Sequence, residues 1–187
     1  MSELVIRKAT LEDAEALLKI YTYYVEKTVI TFEYEVPSIE EFKGRIKNTL
    51  KKYPYLVAEA DGEIVGYAYA GVFKGRAAYD WAVETTIYLK NGVNGKGYGR
   101  KLYEALEEAL KKMGILNLYA CIGYPEENDE YLTKNSAEFH EHMGYKLIGQ
   151  FNLCGFKFNR WYHMIWMEKM LGEHREDQAP VRFGEWE

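Results

Sequence analysis

Trp81-Ala82-Val83-Glu84-Thr85-Thr86-Ile87-Tyr88-Leu89 is a β-branched and aromatic run, followed by the glycine-dense stretch Asn91–Arg100 and then the helical run Lys101–Leu106. A strand, a glycine loop and a helix in that order leave unpaired backbone N–H groups at the positive end of a helix dipole, which makes an anion site. Glycine lets the backbone turn sharply there and leaves no side chain in the way of a phosphate. The spacing is not that of a Walker loop, because no Lys-Ser or Lys-Thr follows the last glycine. Nor is it that of a dinucleotide loop: Gly95, Gly97 and Gly99 alternate and Arg100 follows. Taken alone, the loop is either a phosphate cradle or a plain turn, and its neighbours decide which.

The 187 residues suit one domain, read as 1–171, with a charged tail over 172–187 that carries Pro180 and is either disordered or a docked arm. With 48% apolar and 28% charged residues the composition is that of a globular protein. Seventeen tyrosines and four tryptophans point to core packing, an aromatic-lined pocket, or both. The net charge of −5 gives no support to a nucleic-acid partner. No secretion signal and no membrane-length apolar run is visible, so a cytoplasmic protein with no membrane partner is expected. Cys121 and Cys154 then read as reduced thiols in the core.

Along the chain, Leu4–Lys8 reads as a strand. Thr10 opens a helix with apolar residues at Leu11, Ala14, Leu17, Leu18, Tyr21 and Val25, and Ser38 opens a second that stops before Pro54. Residues 55–60 and 63–70 flank Asp61-Gly62, a two-residue hairpin signal. A helix runs from the glycine loop to about Met113, and 117–122 is a strand. Tyr124–Lys134 is acidic and too polar for core, and a short helix, Ser136–Met143, ends at Gly144. The last two strands are 145–154 and 161–170, with 155–160 between them. The order β-α-α-β-β-β-α-β-α-β-β predicts a mixed α/β (α+β) fold, a mostly antiparallel sheet with helices on both faces.

These elements, with Asn94-Gly95-Lys96-Gly97-Tyr98-Gly99 between the fourth strand and third helix, resemble the GNAT superfamily of N-acetyltransferases. Within it, Tyr53–Glu59, Gly66–Gly71, Ala78-Tyr79-Asp80-Trp81-Ala82-Val83-Glu84 and Gly155–Trp161 are similar to the phosphinothricin and methionine-sulfoximine acetyltransferase group. The resemblance spans about Val5 to Lys169, and the Tyr-Asp-Trp-x-Val-Glu run is its most specific part. Two positions depart from the pattern: Asn94 stands where Gln or Arg is usual, and Tyr124–Lys134 is longer than the usual turn.

The resemblance implies acetyl-CoA as co-substrate. Its pyrophosphate would lie on the backbone of Gly95, Lys96, Gly97, Tyr98, Gly99 and Arg100, and its pantetheine arm along Ile87, Tyr88 and Leu89, with Asn135 at the head of the next helix as a further contact. Lys96 or Arg100 can add charge-assisted contacts. The acceptor is then a small-molecule primary amine that must lose a proton before it attacks. Glu84, the acidic residue in an otherwise apolar strand, is the expected base, against the alternative of a structural ion pair. His140, at a position where many superfamily members carry tyrosine, is either a proton donor to the leaving thiolate or holder of a water, or a plain buried histidine. Phe32 and Tyr34 are expected to line the acceptor pocket and Arg76 to clamp a carboxylate, with Tyr79 and Lys157 as weaker candidates.

Neither cysteine has the electropositive setting of a nucleophile, so the amine attacks directly. The histidines lack metal-ligand spacing, and no metal is expected. The reaction expected is acetyl transfer to an amino-acid-like amine of the phosphinothricin or methionine-sulfoximine type. Acetylation of a peptide N-terminus, lysine or polyamine is the alternative acceptor reading, and a non-catalytic CoA-binding sensor the alternative of another kind. Members of the group are often dimers, which makes a homodimer the candidate assembly.

Overall fold

The computed structural model describes residues 4–93 and 95–187, so the Asn94 departure lies outside the described residues. The chain runs β1 (Leu4–Lys8), α1 (Ala14–Lys27), α2 (Ile39–Leu50), β2 (Tyr55–Ala60), β3 (Glu63–Val72), β4 (Ala82–Leu89), α3 (Tyr98–Met113), β5 (Asn117–Tyr124), α4 (Asn135–His142), β6 (Lys146–Lys157) and β7 (Arg160–Met170). One seven-stranded sheet has the order β1-β2-β3-β4-β5-β7-β6, and β4 with β5 is the parallel pair in an otherwise antiparallel ladder. This is the expected mixed architecture with helices on both faces.

Local chemistry sets the elements. Ser38 caps α2 by accepting from the Glu41 N–H at 3.1 Å. Asp61 and Gly62 turn the β2–β3 hairpin with φ of +54° and +78°, the left-handed pair that such a turn requires. The α3 stripe Leu102, Leu106, Leu110 and Met113 packs with Leu56, Ala58 and Ala68 on one face of the sheet. On the other face α1 and α2 bury Leu17, Tyr21 and Ile46 against Tyr55, Val57 and Tyr67.

Three expectations change, and the alternative left open for the tail is decided. The β6–β7 connection is not 155–160: β6 runs on to Lys157, and Phe158 and Asn159, with φ of +51° and +58°, make a two-residue turn. Cys121 and Cys154 are not core thiols, since both are exposed. The Tyr124–Lys134 stretch has a packed interior, because Leu132 is buried with Val29 and Tyr162. Within it the Asp129 carboxylate accepts from the Tyr131 and Leu132 amides, both at 2.8 Å, and from the Tyr162 hydroxyl at 2.7 Å. The tail is a docked arm: Trp186 is buried, Arg182 N–H donates to Met113 O at 2.9 Å, and Trp81 Nε1 donates to Ala179 O at 2.8 Å.

Candidate active site

The sheet opens between β4 and β5. Their register covers Ala82–Glu84 against Asn117–Tyr119 and goes no further, whereas β4 stays paired with β3 from Val83 to Leu89. Beyond Glu84, among the described residues, the β5-facing edge of β4 therefore carries backbone groups with no strand partner. Thr85 bridges the base of the opening through its hydroxyl, 2.9 Å from the Tyr145 hydroxyl. The cleft so formed has a volume of about 230 Å³ and is lined by Glu84, Thr86, Ile87, Cys121, Ser136 and His140 among others.

Strand alternation divides β4 between two jobs. Ile87 and Leu89 pack toward the α3 side. Tyr88 sends its ring to the α1–α2 side, 5.2 Å from Tyr21 and 5.5 Å from Tyr67. Tyr24 donates its hydroxyl to Leu89 O at 2.5 Å, which anchors the end of the strand to α1. Glu84 is half-buried, and burial raises its carboxyl above the usual range, with Lys74 pulling weakly the other way.

His140 is buried in α4, with Nδ1 2.7 Å from Ser136 O and Nε2 2.9 Å from the Tyr103 hydroxyl. A carbonyl only accepts, so Nδ1 carries the hydrogen and Nε2 accepts from Tyr103. Burial drives the imidazole down to about 4. It is thus neutral at pH 7, and of the roles weighed above, proton donation as an imidazolium is disfavoured. His140 and Tyr103 line the same cleft as Glu84.

The glycine loop sits at the head of α3. Gly95 and Gly97 have φ of +81° and +77°, and Gly97 is the N-cap residue of α3. A Cβ at either would meet nothing within 4 Å, which leaves open space over the first-turn amides. At Gly99 a Cβ would lie 3.3 Å from both Leu89 and Phe139, so glycine there lets the head of α3 close on β4 and α4. Lys96 lies 6.0 Å from the Tyr98 ring, Arg100 pairs with Glu104 at 2.8 Å, and Asn135 is exposed at the start of α4. An open amide-rich loop leading into an unpaired strand edge fits a pyrophosphate with a long polar arm, as in acetyl-CoA.

A second hollow of about 470 Å³, lined by Phe32, Tyr34, Cys154, Gly155, Phe156 and Met164, shares Cys121 with the cleft. Phe32 forms its floor: a Cβ on Gly155 would fall 2.2 Å from the Phe32 ring, and one on Gly123 would fall 3.3 Å from it. Tyr34 donates its hydroxyl to Phe156 O. The structure thus brings Phe32 and Tyr34 beside the cleft. Arg76 and Tyr79 lie elsewhere. Arg76 is exposed ahead of the turn 77–79, and Tyr79 lines a separate hollow with Phe73, Trp81 and Tyr119. Gly155, Phe156 and Met164 are acceptor-side residues that the sequence reading does not single out; the Gly155–Trp161 motif is the signal for the first two, and Met164, three residues beyond it, carries none.

Among the described residues no three His, Cys, Asp or Glu side chains group as a metal site, and no helix is long and apolar enough to cross a membrane. Residues 6–166 match the acetyltransferase (GNAT) domain family. The chain is 35% identical over 157 residues to a phosphinothricin N-acetyltransferase of Streptomyces viridochromogenes, covering 84% of this chain and 82% of that protein. It is 29% identical to an L-methionine sulfoximine/L-methionine sulfone acetyltransferase of Salmonella typhimurium, over 93% of this chain and 98% of that one. Its fold is similar to the crystal structure of a GNAT superfamily phosphinothricin acetyltransferase from Sinorhizobium meliloti in complex with AcCoA. That match has a TM-score of 0.85 and 31% identity, covering 97% of this chain and 98% of the other.

Proposed function

The chain belongs to the GNAT acetyltransferase family, and from that premise we propose that it acetylates the primary amine of a small amino-acid-like acceptor of the phosphinothricin or methionine-sulfoximine type. The observation that supports this reading is Cys121, which lines both the cleft that holds Glu84 and a neighbouring hollow of about 470 Å³ walled by Phe32 and Tyr34. When bound, acetyl-CoA would supply an acetyl thioester, whose carbonyl carbon would take the amine's lone pair and whose sulfur would leave as a thiolate, protonated by the hydrogen that the acylated nitrogen sheds.

The chain's own residues prepare that attack. Glu84 takes the ammonium proton directly or through one water, and its raised carboxyl lies closer to an amine's range than an exposed glutamate would. The first-turn amides of α3 hold the pyrophosphate, and the β4 edge aligns the arm. Tyr103 and neutral His140, joined by a hydrogen bond, add a fixed polar pair to the cleft lining. Cys121 is no rival nucleophile: although the residue is exposed, partial desolvation of its thiol at the cleft and the charge of Glu84 push it up to about 12. Thiol release from acetyl-CoA that accelerates when an amino-acid acceptor is added tests the proposal.

We place the activity in the cytoplasm and in a homodimer. Two free, exposed thiols suit a reducing compartment, and recovery in the secreted fraction would contradict it. The edge strand β6 exposes Leu147, Ile148, Phe151 and Leu153, an apolar surface that a second copy would cover. Sedimentation equilibrium is expected to give twice 21.9 kDa, and a monomer mass at micromolar protein would sink the dimer.

A further inference from the structure

Lys157, at the end of β6, is 4% exposed, an unusual fate for a lysine. Its ammonium has three N–H bonds and meets three carbonyls: Val25 O at 2.7 Å, Thr28 O at 2.8 Å and Thr31 O at 2.9 Å. Val25 lies in the last turn of α1 and Thr28 is its C-cap, so the cation sits on the negative end of the helix and satisfies carbonyls the helix leaves over. With every donor used, the ammonium has none to offer a substrate.

The contact also ties together two parts of the acceptor hollow. Phe32 follows the third carbonyl directly, and its ring lies against Gly155, two residues before Lys157 on β6. Tyr34 reaches back to Phe156 O. From the other side Glu33 is held by Arg45 at 2.6 Å and 2.9 Å. The segment 28–34 is therefore fastened to the sheet by Lys157 and to α2 by Arg45.

We propose that Lys157 is a positioning residue that sets acceptor binding by fixing the Phe32 wall against β6, an inference that rests on the acceptor reading given above. Its three carbonyl partners, Val25, Thr28 and Thr31, lie outside the glycine loop assigned to the pyrophosphate, so its main effect falls on the acceptor side, although Ile30 of the same segment lines the cleft and Thr31 meets the Tyr88 side chain.

Lys157→Met, Phe32→Ala and the double variant test it. The acceptor KM of Lys157→Met is expected to rise about tenfold while the KM for acetyl-CoA stays within about twofold. The double variant is expected to be no worse than Phe32→Ala, since both substitutions remove the same wall. An unchanged acceptor KM in folded Lys157→Met, or losses that multiply in the double variant, would overturn the proposal. Should Lys157→Met not fold, Lys157→Gln is read in the same way. Hydrogen exchange separates this claim from the acceptor reading: amides of 28–34 are expected to exchange about tenfold faster in the variant while 117–124 do not change. If the wild-type protein acetylates no amino acid, the acceptor reading fails by itself, and unaltered protection of 28–34 would then refute the fastening as well.

Discussion

Glu84→Gln is expected to lower kcat by about 10²- to 10⁴-fold, the contribution of a positioned general base, with acetyl-CoA affinity unchanged. The substitution keeps the size and hydrogen-bonding reach of the side chain and removes its capacity to take a proton, so loss of binding is not the expected route. The pH profile adds a second reading. Burial raises the Glu84 carboxyl, and the protonated acid cannot serve as a base. Wild-type kcat/KM should therefore fall as pH drops through that raised value, and this limb should vanish in Glu84→Gln. Thiol-release kinetics across pH and calorimetric titration of acetyl-CoA measure both. A variant that turns over at the wild-type rate removes Glu84 from the mechanism.

His140 predicts a large effect on stability. Its imidazole titrates at about 4 in the folded chain and near its ordinary 6.5 when unfolded. As pH falls below 6.5 the unfolded chain gains a proton that the folded chain refuses until about 4, so stability is lost across that window. The full span amounts to about 3 kcal/mol at ~1.4 kcal/mol per pH unit. His140→Gln has no group to titrate there and should show a correspondingly flatter decline in urea unfolding between pH 7 and 4.5. The comparison is between the two slopes, because the substitution also disturbs the hydrogen bond to Tyr103 and shifts the baseline. Parallel slopes would mean that His140 is not held neutral.

The parts of this architecture that were legible in the sequence are those written in local chemistry. Asp61-Gly62 announces its hairpin because both residues tolerate positive φ, and Ser38 announces α2 because its hydroxyl can serve the Glu41 amide three residues on. The strand–loop–helix around Gly97 is readable for the same reason, and Glu84 stands out as a carboxylate among apolar neighbours. What escaped depends on partners far along the chain. Phe158 and Asn159 make their turn without glycine, so 155–160 looked like a loop. Lys157 is indistinguishable from a surface lysine until α1 and its following loop, more than a hundred residues earlier, arrive around its ammonium. Cys121 sits in a strand pattern that suggests burial, yet it lies where β4 and β5 part, and no local periodicity records that separation. The charged arm 172–187 reads equally as disordered or docked, because what docks it is distant: Trp186, Val181 and Phe183 reach the core beside α3 and Tyr53.

We propose that an amine enters by the Phe32 hollow and is acetylated beside Glu84. Thiol release from acetyl-CoA, followed across methionine sulfoximine, phosphinothricin, other amino acids and polyamines, tests it most directly. Acceptor-dependent release with the amino-acid analogues, a product carrying one acetyl group on its amine, and loss of that release in Glu84→Gln are expected. Turnover confined to polyamines or peptides, or no acceptor-dependent release at all, would contradict it.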